Sequence, residues 1–183
     1  SVGTGALGNL AIGTDNTIYV GSEDQHFYAV DPSDGSITWS AATGGVVTGG
    51  TVIDTEGYVY FGSADGLLYK YSESGTKSWS RPVDLPGTSI ITTPVVTADE
   101  TFFVCRDDTL FELGNNGDEL PTKDFQTGGT IQTNPAIAPD GTVYFGSDDG
   151  NVYAVLGDNG GLGETPWPMA GGGNSRSGQQ VYI

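Results

Sequence analysis

The sequence predicts an all-β fold of the β-propeller type, with four antiparallel four-stranded blades in this chain. Three observations support this prediction: a repeat of about 42 residues, aromatic residues at fixed positions in each repeat, and glycine-rich pairs that punctuate it. Asp-Gly pairs favour tight hairpins because they tolerate positive φ. A repeat of this length with four short strands and no helical pattern is typical of a propeller blade.

The repeat is clearest in four similar segments, 17–22, 58–63, 101–106 and 142–147. One sheet cannot bury both of its faces alone, so we expect the recurring aromatic rings to fill the layers between stacked blades. Tryptophan recurs as well, although the third unit reads Leu120-Pro-Thr at its position. The aromatic positions are Tyr19, Tyr60, Phe103 and Tyr144, then Tyr28, Tyr69, Phe111 and Tyr153, then Trp39, Trp79 and Trp167.

The last unit illustrates the strands that we predict. They cover about 130–138, 142–147, 151–156 and 166–170, and alternation places Val143 and Phe145 on one face and Tyr144 on the other. The predicted blades are 1–43, 44–86, 87–128 and 129–170, followed by a tail, 171–183, that we expect to add a closing strand. The opening residues resemble the interior of a repeat, as in a mature or excised domain, and no signal peptide is evident.

Composition excludes several functions. Six Lys and Arg oppose 23 Asp and Glu, and the net charge of −17 disfavours nucleic acid and anionic membrane surfaces as partners. No apolar run approaches the roughly 20 residues of a membrane span. The single cysteine, Cys105, allows no internal disulfide and is predicted to be buried and inert. With His26 as the only histidine and no catalytic motif, acid–base catalysis through histidine is disfavoured.

Residues 16–39 and 140–155 resemble the PQQ-like (quinoprotein-type) β-propeller repeat, and residues 167–178 are similar to a segment at the ring ends of some secreted members. The resemblance implies the propeller fold, usually with seven or eight blades, but no single function, since the family includes quinone-dependent dehydrogenases, outer-membrane assembly lipoproteins, kinase sensor domains and cell-surface modules. Four blades leave three arrangements open: part of a longer ring, two chains forming an eight-bladed ring, or a closed four-bladed ring.

The resemblance also implies what a quinoprotein dehydrogenase would need. That class has a Trp floor, a Ca²⁺ site of Glu, Asn and Asp, and often an adjacent disulfide. One cysteine cannot form the disulfide, and no such cluster stands out. We therefore expect no enzyme activity and no cofactor, with PQQ and Ca²⁺ as the less favoured alternative.

Two groups of residues are candidate binding sites. The first strand of each blade lines the channel of a propeller, and small polar residues there could hold a ligand, although crowding at the axis also requires small residues. The second group is the pair Asp148 and Asp149, a weak Ca²⁺ candidate that turn geometry explains better, so no metal is expected. The channel candidates are Thr48, Thr92, Thr93, Gln132 and Asn134.

The sequence thus favours a non-catalytic extracellular, cell-surface or periplasmic module that binds protein or glycan or supports assembly. Its expected partner is a second copy of the chain or the remaining blades of a longer chain. The alternatives are a partial or degenerate quinoprotein dehydrogenase and a purely structural oligomerisation unit.

Overall fold

The computed structural model describes residues 5, 8–83, 90, 92–97, 101–118, 120, 124–138 and 141–156. In this part of the chain every regular element is a β-strand, so the fold is all-β as predicted. Each sheet is antiparallel, and its strands pair in chain order. The predicted fourth strand of the last unit and the tail lie outside the described residues.

The four sheets are called blades 1 to 4. Blade 1 contains β1 (Ala11–Ile12), β2 (Ile18–Gly21), β3 (His26–Val30) and β4 (Ile37–Ala42). Blade 2 contains β5 (Thr51–Ile53), β6 (Val59–Gly62), β7 (Leu67–Tyr71) and β8 (Lys77–Pro82). Blade 3 contains β9 (Val95–Val96), β10 (Phe102–Arg106), β11 (Thr109–Leu113) and β12 (Phe125–Gln126). Blade 4 contains β13 (Ala136–Ile137), β14 (Thr142–Gly146) and β15 (Val152–Leu156).

The hairpin between the second and third strands has the turn chemistry that the sequence predicts. Gly66 and Gly150 adopt φ values of 82° and 87°, which suit glycine and strain most other residues. Blades 1 and 3 place Gln25 and Asp107 in the corresponding turns with φ values of 68° and 49°. Each of the four turns between the second and third strands thus contains a residue with positive φ.

The first strands are shorter than predicted. The sequence suggested a strand over about 130–138, whereas β13 contains two residues. Side chains replace the missing ladder bonds: the Thr133 hydroxyl accepts a hydrogen bond from the Gly146 N–H at 2.7 Å. Pro135 has no N–H to donate. The alternation in β14 is confirmed, since Val143 and Phe145 are buried and Tyr144 is 44% exposed.

The chain crosses from one blade to the next in the same way three times. The N–H groups of Val47, Ile90 and Ile131 donate to carbonyls of the preceding blade, on Ser22, Ser63 and Asp107. The Val47 and Ile90 side chains pack against Gly21 and Gly62, where an added Cβ would overlap them. Small residues at the ends of these second strands therefore allow each crossing segment to approach its sheet closely.

Three apolar clusters fill the spaces between the blades. Between blades 1 and 2 the rings of Phe27 and Phe61 stack with centroids 3.8 Å apart. Trp39 and Trp79 pack in the first and second clusters, which confirms the packing role predicted for them. Trp167 lies outside the described residues. The third cluster contains Cys105, which is fully buried, and burial raises the pKa of its thiol to about 12.

We expect Phe61→Ala to lower the free energy of unfolding by about 3–5 kcal/mol, because it removes a fully buried ring from the first cluster. Chemical denaturation followed by circular dichroism measures this change. Ser78→Ala, at an exposed position of β8, is the control and should have little effect. Equal stability of the two variants would contradict a core built from inter-blade aromatic layers.

Candidate functional site

The inner strands are joined by hydrogen bonds that run from blade to blade. The Gly50 N–H of blade 2 donates to the Thr93 hydroxyl of blade 3 at 2.8 Å. The Thr93 N–H in turn donates to the Asn134 side-chain oxygen of blade 4 at 2.8 Å. We call these three residues the inner chain. It links three consecutive blades through their first segments.

The structure brings only some of the predicted channel residues together. Thr93 and Asn134 meet in the inner chain, whereas Thr92 is buried and its hydroxyl donates to the Cys105 carbonyl at 2.8 Å. Thr48 is half-buried, and Gln132 is exposed with its amide donating to Asp148 at 2.7 Å. The hydroxyls of Thr92 and Thr93 thus already have protein partners, so they are poorly placed to recognise a ligand.

A second polar arrangement, which the sequence analysis missed, recurs at the hairpins between the second and third strands. In blade 2, Asp65 accepts hydrogen bonds from the Leu67 N–H at 3.0 Å, the Tyr69 hydroxyl at 2.7 Å and the Gly44 N–H at 2.8 Å. Gly44 lies where the chain leaves blade 1, so one carboxylate fixes a turn, a ring and the crossing chain. We call this arrangement the Asp–Tyr clamp.

The clamp recurs in blade 4. There Asp149 accepts from Asn151 N–H, the Tyr153 hydroxyl and the Gly128 N–H. The hydrogen bond from Tyr153, together with those from backbone N–H groups, holds the pKa of Asp149 below its usual value. The weak Ca²⁺ candidate Asp149 therefore has a defined place in a turn, while Asp148 accepts from Gln132.

Blade 1 has the Asp24–Tyr28 pair, with 2.7 Å between carboxylate and hydroxyl oxygens. Blade 3 lacks the hydroxyl because Phe111 replaces the tyrosine. In the sequence, Pro86 stands where the other units have Gly44 and Gly128, and proline has no N–H to donate. A tyrosine four residues after an aspartate, in three of four units, was the signal that could have revealed the clamp.

A third polar feature is a groove at the other end of the blade 2 sheet, between the β5–β6 turn and the β7–β8 turn. The groove has a volume of about 360 Å³ and is bordered by two glutamates and a tyrosine ring. Within the described part of the chain, no three His, Cys, Asp or Glu side chains gather as a metal site would require, and no helix is long and apolar enough to cross a membrane. The groove is lined by Glu56, Gly57, Tyr58, Ser72, Glu73 and Ser74.

A family model described as outer membrane protein assembly factor BamB matches residues 2–84 and, in an overlapping second alignment, residues 23–181. The chain belongs to this family of PQQ-like repeats. Two overlapping matches are expected when one repeat model fits a chain in more than one register. A search of curated proteins found no match.

Solved structures show the same fold at low sequence identity. BamB from Moraxella catarrhalis matches with a TM-score of 0.68 and 16% identity over 82% of this chain and 50% of that one. The computationally designed Ika4 protein gives 0.66 and 18%, over 85% of this chain and 94% of that one. The designed Ika8 protein gives 0.68 and 18%, over 82% and 46%. The chain thus spans about half the length of BamB and of Ika8.

We expect Tyr69→Phe to lower the free energy of unfolding by about 1–3 kcal/mol, because it removes a hydrogen bond to a carboxylate and leaves the ring in place. Tyr71→Phe, in the same strand, is the control. Denaturant titration at neutral pH measures both. If the two variants are equally stable, the clamp does not stabilise the fold.

The same pair of proteins gives a pH test. Burial and the bond to Asp65 raise the pKa of Tyr69, so the folded protein keeps this proton at a pH where the unfolded chain releases it. This contribution is complete below about pH 10, the pKa of an unperturbed tyrosine, and declines as the pH rises above it. The stability difference between the parent chain and Tyr69→Phe should therefore shrink above that pH.

Proposed function

We propose that this chain is a non-catalytic binding and assembly module of the cell envelope, exposed to the periplasm or the cell exterior, that completes a larger propeller with a second copy of itself. The observation that carries the proposal is the exposure of inter-blade positions at both ends of the blade series. Protein or glycan ligands would then be bound by the loops of the completed ring.

Blade 4 exposes apolar residues that are buried elsewhere in the repeat. Tyr144 and Val152 are 44% and 79% exposed, whereas Tyr60 and Leu68, at the same positions of blade 2, are fully buried against blade 3. Leu156 is also exposed. We call this surface the trailing face. It has the composition of an inter-blade layer but no blade against it in the described residues.

Blade 1 exposes part of the opposite face of the repeat, although Val20 and Tyr28 on that face are buried. Ile12 is 41% exposed, whereas its counterpart Ile53 in blade 2 is fully buried against blade 1. Leu10 and Ile37 are exposed with it. We call this surface the leading face. The residues named on the leading and trailing faces carry no charge, so the two faces suit each other as any two successive blades do.

The length of the chain supports a second copy as the partner that covers the two apolar faces. It covers 50% of BamB from Moraxella catarrhalis and 46% of Ika8, so two such arcs correspond in length to one of those proteins. In a two-fold pair, each trailing face meets the leading face of the other copy, and the contact closes after two copies. The pair would bury both apolar faces without further partners.

Chemistry within the described residues favours binding over catalysis. The Cys105 thiol is buried with a raised pKa, which disfavours the reactive thiolate. The His26 Nδ1 lies 3.0 Å from the Asp24 carbonyl, and its ring stacks on Tyr28. The assembly role named in the description of the matching family supports the same class of function.

We expect light scattering after size-exclusion chromatography to give a mass near twice 18.9 kDa at physiological salt. Two chains of charge −17 repel each other, so dimerisation should weaken at low ionic strength, where screening is reduced. Val152→Asp and Ile12→Asp should each produce monomers, because each places a charge in both contacts of the ring. Ser78→Asp, on an exposed site of β8, is the matched control.

A monomer for the parent chain at physiological salt would contradict pairing with a second copy. A dimer that survives both substitutions would show that another surface joins the chains. A bound quinone by absorption spectroscopy, or alcohol oxidation after addition of PQQ and Ca²⁺, would contradict the non-catalytic part of the proposal independently of the mass.

A further inference from the structure

The inner chain has an open end in blade 4. The Gly50 N–H of blade 2 donates to the Thr93 hydroxyl, and the Thr93 N–H of blade 3 donates to the Asn134 side-chain oxygen, each at 2.8 Å. The Asn134 N–H itself has no acceptor among the described residues. The hydrogen bonds from blade to blade therefore stop at a backbone donor of the same kind as those at Gly50 and Thr93.

The three residues of the inner chain occupy one position of the repeat, two residues before the first-strand residue that pairs with the aromatic position of the second strand. In blades 2, 3 and 4 these pairs are Val52 with Tyr60, Val95 with Phe103, and Ala136 with Tyr144. In blade 1, Ala11 pairs with Tyr19, so the corresponding residue is Asn9. We call the place of Asn9 and of its three counterparts the inner position.

The hydrogen bonds at the inner position run in one direction. The N–H of each blade is the donor, and the side chain of the following blade is the acceptor. Blade 2 contributes no acceptor toward blade 1 because its inner residue is Gly50, where an added Cβ would overlap the Thr93 hydroxyl. Blade 1 does have an acceptor side chain at this position, although it comes first in the described series.

Asn9 is exposed, unlike its counterparts. Gly50 and Thr93 are buried and Asn134 is half-buried. The side-chain amide of Asn9 makes no hydrogen bond within the described residues. Leu10, which follows it on the leading face, is exposed as well. The first blade thus presents an amide beside its exposed apolar residues.

We propose that the side-chain oxygen of Asn9 in one copy accepts a hydrogen bond from the Asn134 N–H of the second copy, so that the inner chain continues from blade 4 into the next blade 1. The inference rests on the pairing proposed above and names a polar contact within it. Asn134 already accepts such a bond from Thr93, so an asparagine acceptor at the inner position has a precedent in this chain. In a two-fold pair the contact occurs twice.

This contact would fix the register of the two apolar faces. Contact between apolar surfaces is not directional, so the leading and trailing faces could slide along each other at little cost. A hydrogen bond requires a defined distance and angle, and an N–H that is covered without an acceptor destabilises the contact. Asn9 would therefore favour the register that the blades within the chain already have.

Sedimentation equilibrium, which gives the dissociation constant of the dimer, tests the contact. Asn9→Ala should raise that constant about 25-fold, because one neutral hydrogen bond contributes about fivefold and the pair contains two. Asn115→Ala, the same change at an exposed residue between β11 and β12, is the matched control and should leave the constant unchanged.

The outcomes distinguish the contact from the pairing. A monomeric parent chain would overturn both proposals. Equal dissociation constants for the parent and Asn9→Ala would overturn the Asn9 contact alone and leave the pairing in place. Circular dichroism checks that the variants keep the fold of the parent.

Amide hydrogen exchange followed by NMR separates a hydrogen bond from packing alone. The Asn134 N–H should exchange about tenfold more slowly in the parent dimer than in an Asn9→Ala sample that is concentrated enough to be dimeric. Asn9→Thr supplies a hydroxyl acceptor, as Thr93 does in blade 3, and should restore part of the protection. Equal protection in the parent and Asn9→Ala dimers would show that Asn9 is not the acceptor.

Discussion

Every sheet in this chain depends on its neighbour, because both of its faces are apolar. Phe27 of blade 1 and Phe61 of blade 2 stack at 3.8 Å, and neither could be buried within its own four strands. The requirement repeats from blade to blade, so the stability of the fold is a sum of neighbouring interfaces more than a property of one central core. Among the described residues, blades 1 and 4 expose apolar side chains at positions that are buried between blades elsewhere, and the proposed pairing follows from this exposure.

Polar groups serve the same requirement by fixing where each crossing chain lies. The Asp–Tyr clamp joins a turn to the preceding blade through one carboxylate. The inner chain joins the first segments of blades 2, 3 and 4 through Thr93 and Asn134. Blade 3 loses several of these devices together: Phe111 replaces a tyrosine, Pro86 replaces a glycine, and Leu120 stands in place of tryptophan. The changes are consistent, since a carboxylate clamp is of little use where neither hydroxyl nor N–H can donate.

The proposed ring completion has the same origin. Ring completion follows from the whole repeat, because a blade without a neighbour exposes the positions that Ile12 occupies in blade 1 or that Val152 occupies in blade 4.

The sequence by itself determined the fold class, the four repeats and the packing role of Trp39 and Trp79, because aromatic spacing and turn residues are local properties that a 42-residue period makes visible. It overestimated the first strand of blade 4, where the Thr133 side chain replaces ladder bonds. Only the tertiary structure could show that Thr92 and Thr93 use their hydroxyls on other parts of the protein. The hydrogen bond between Gly50 and Thr93 joins residues from different blades, and its geometry depends on how one sheet is placed on the next, which no pattern within a single repeat specifies.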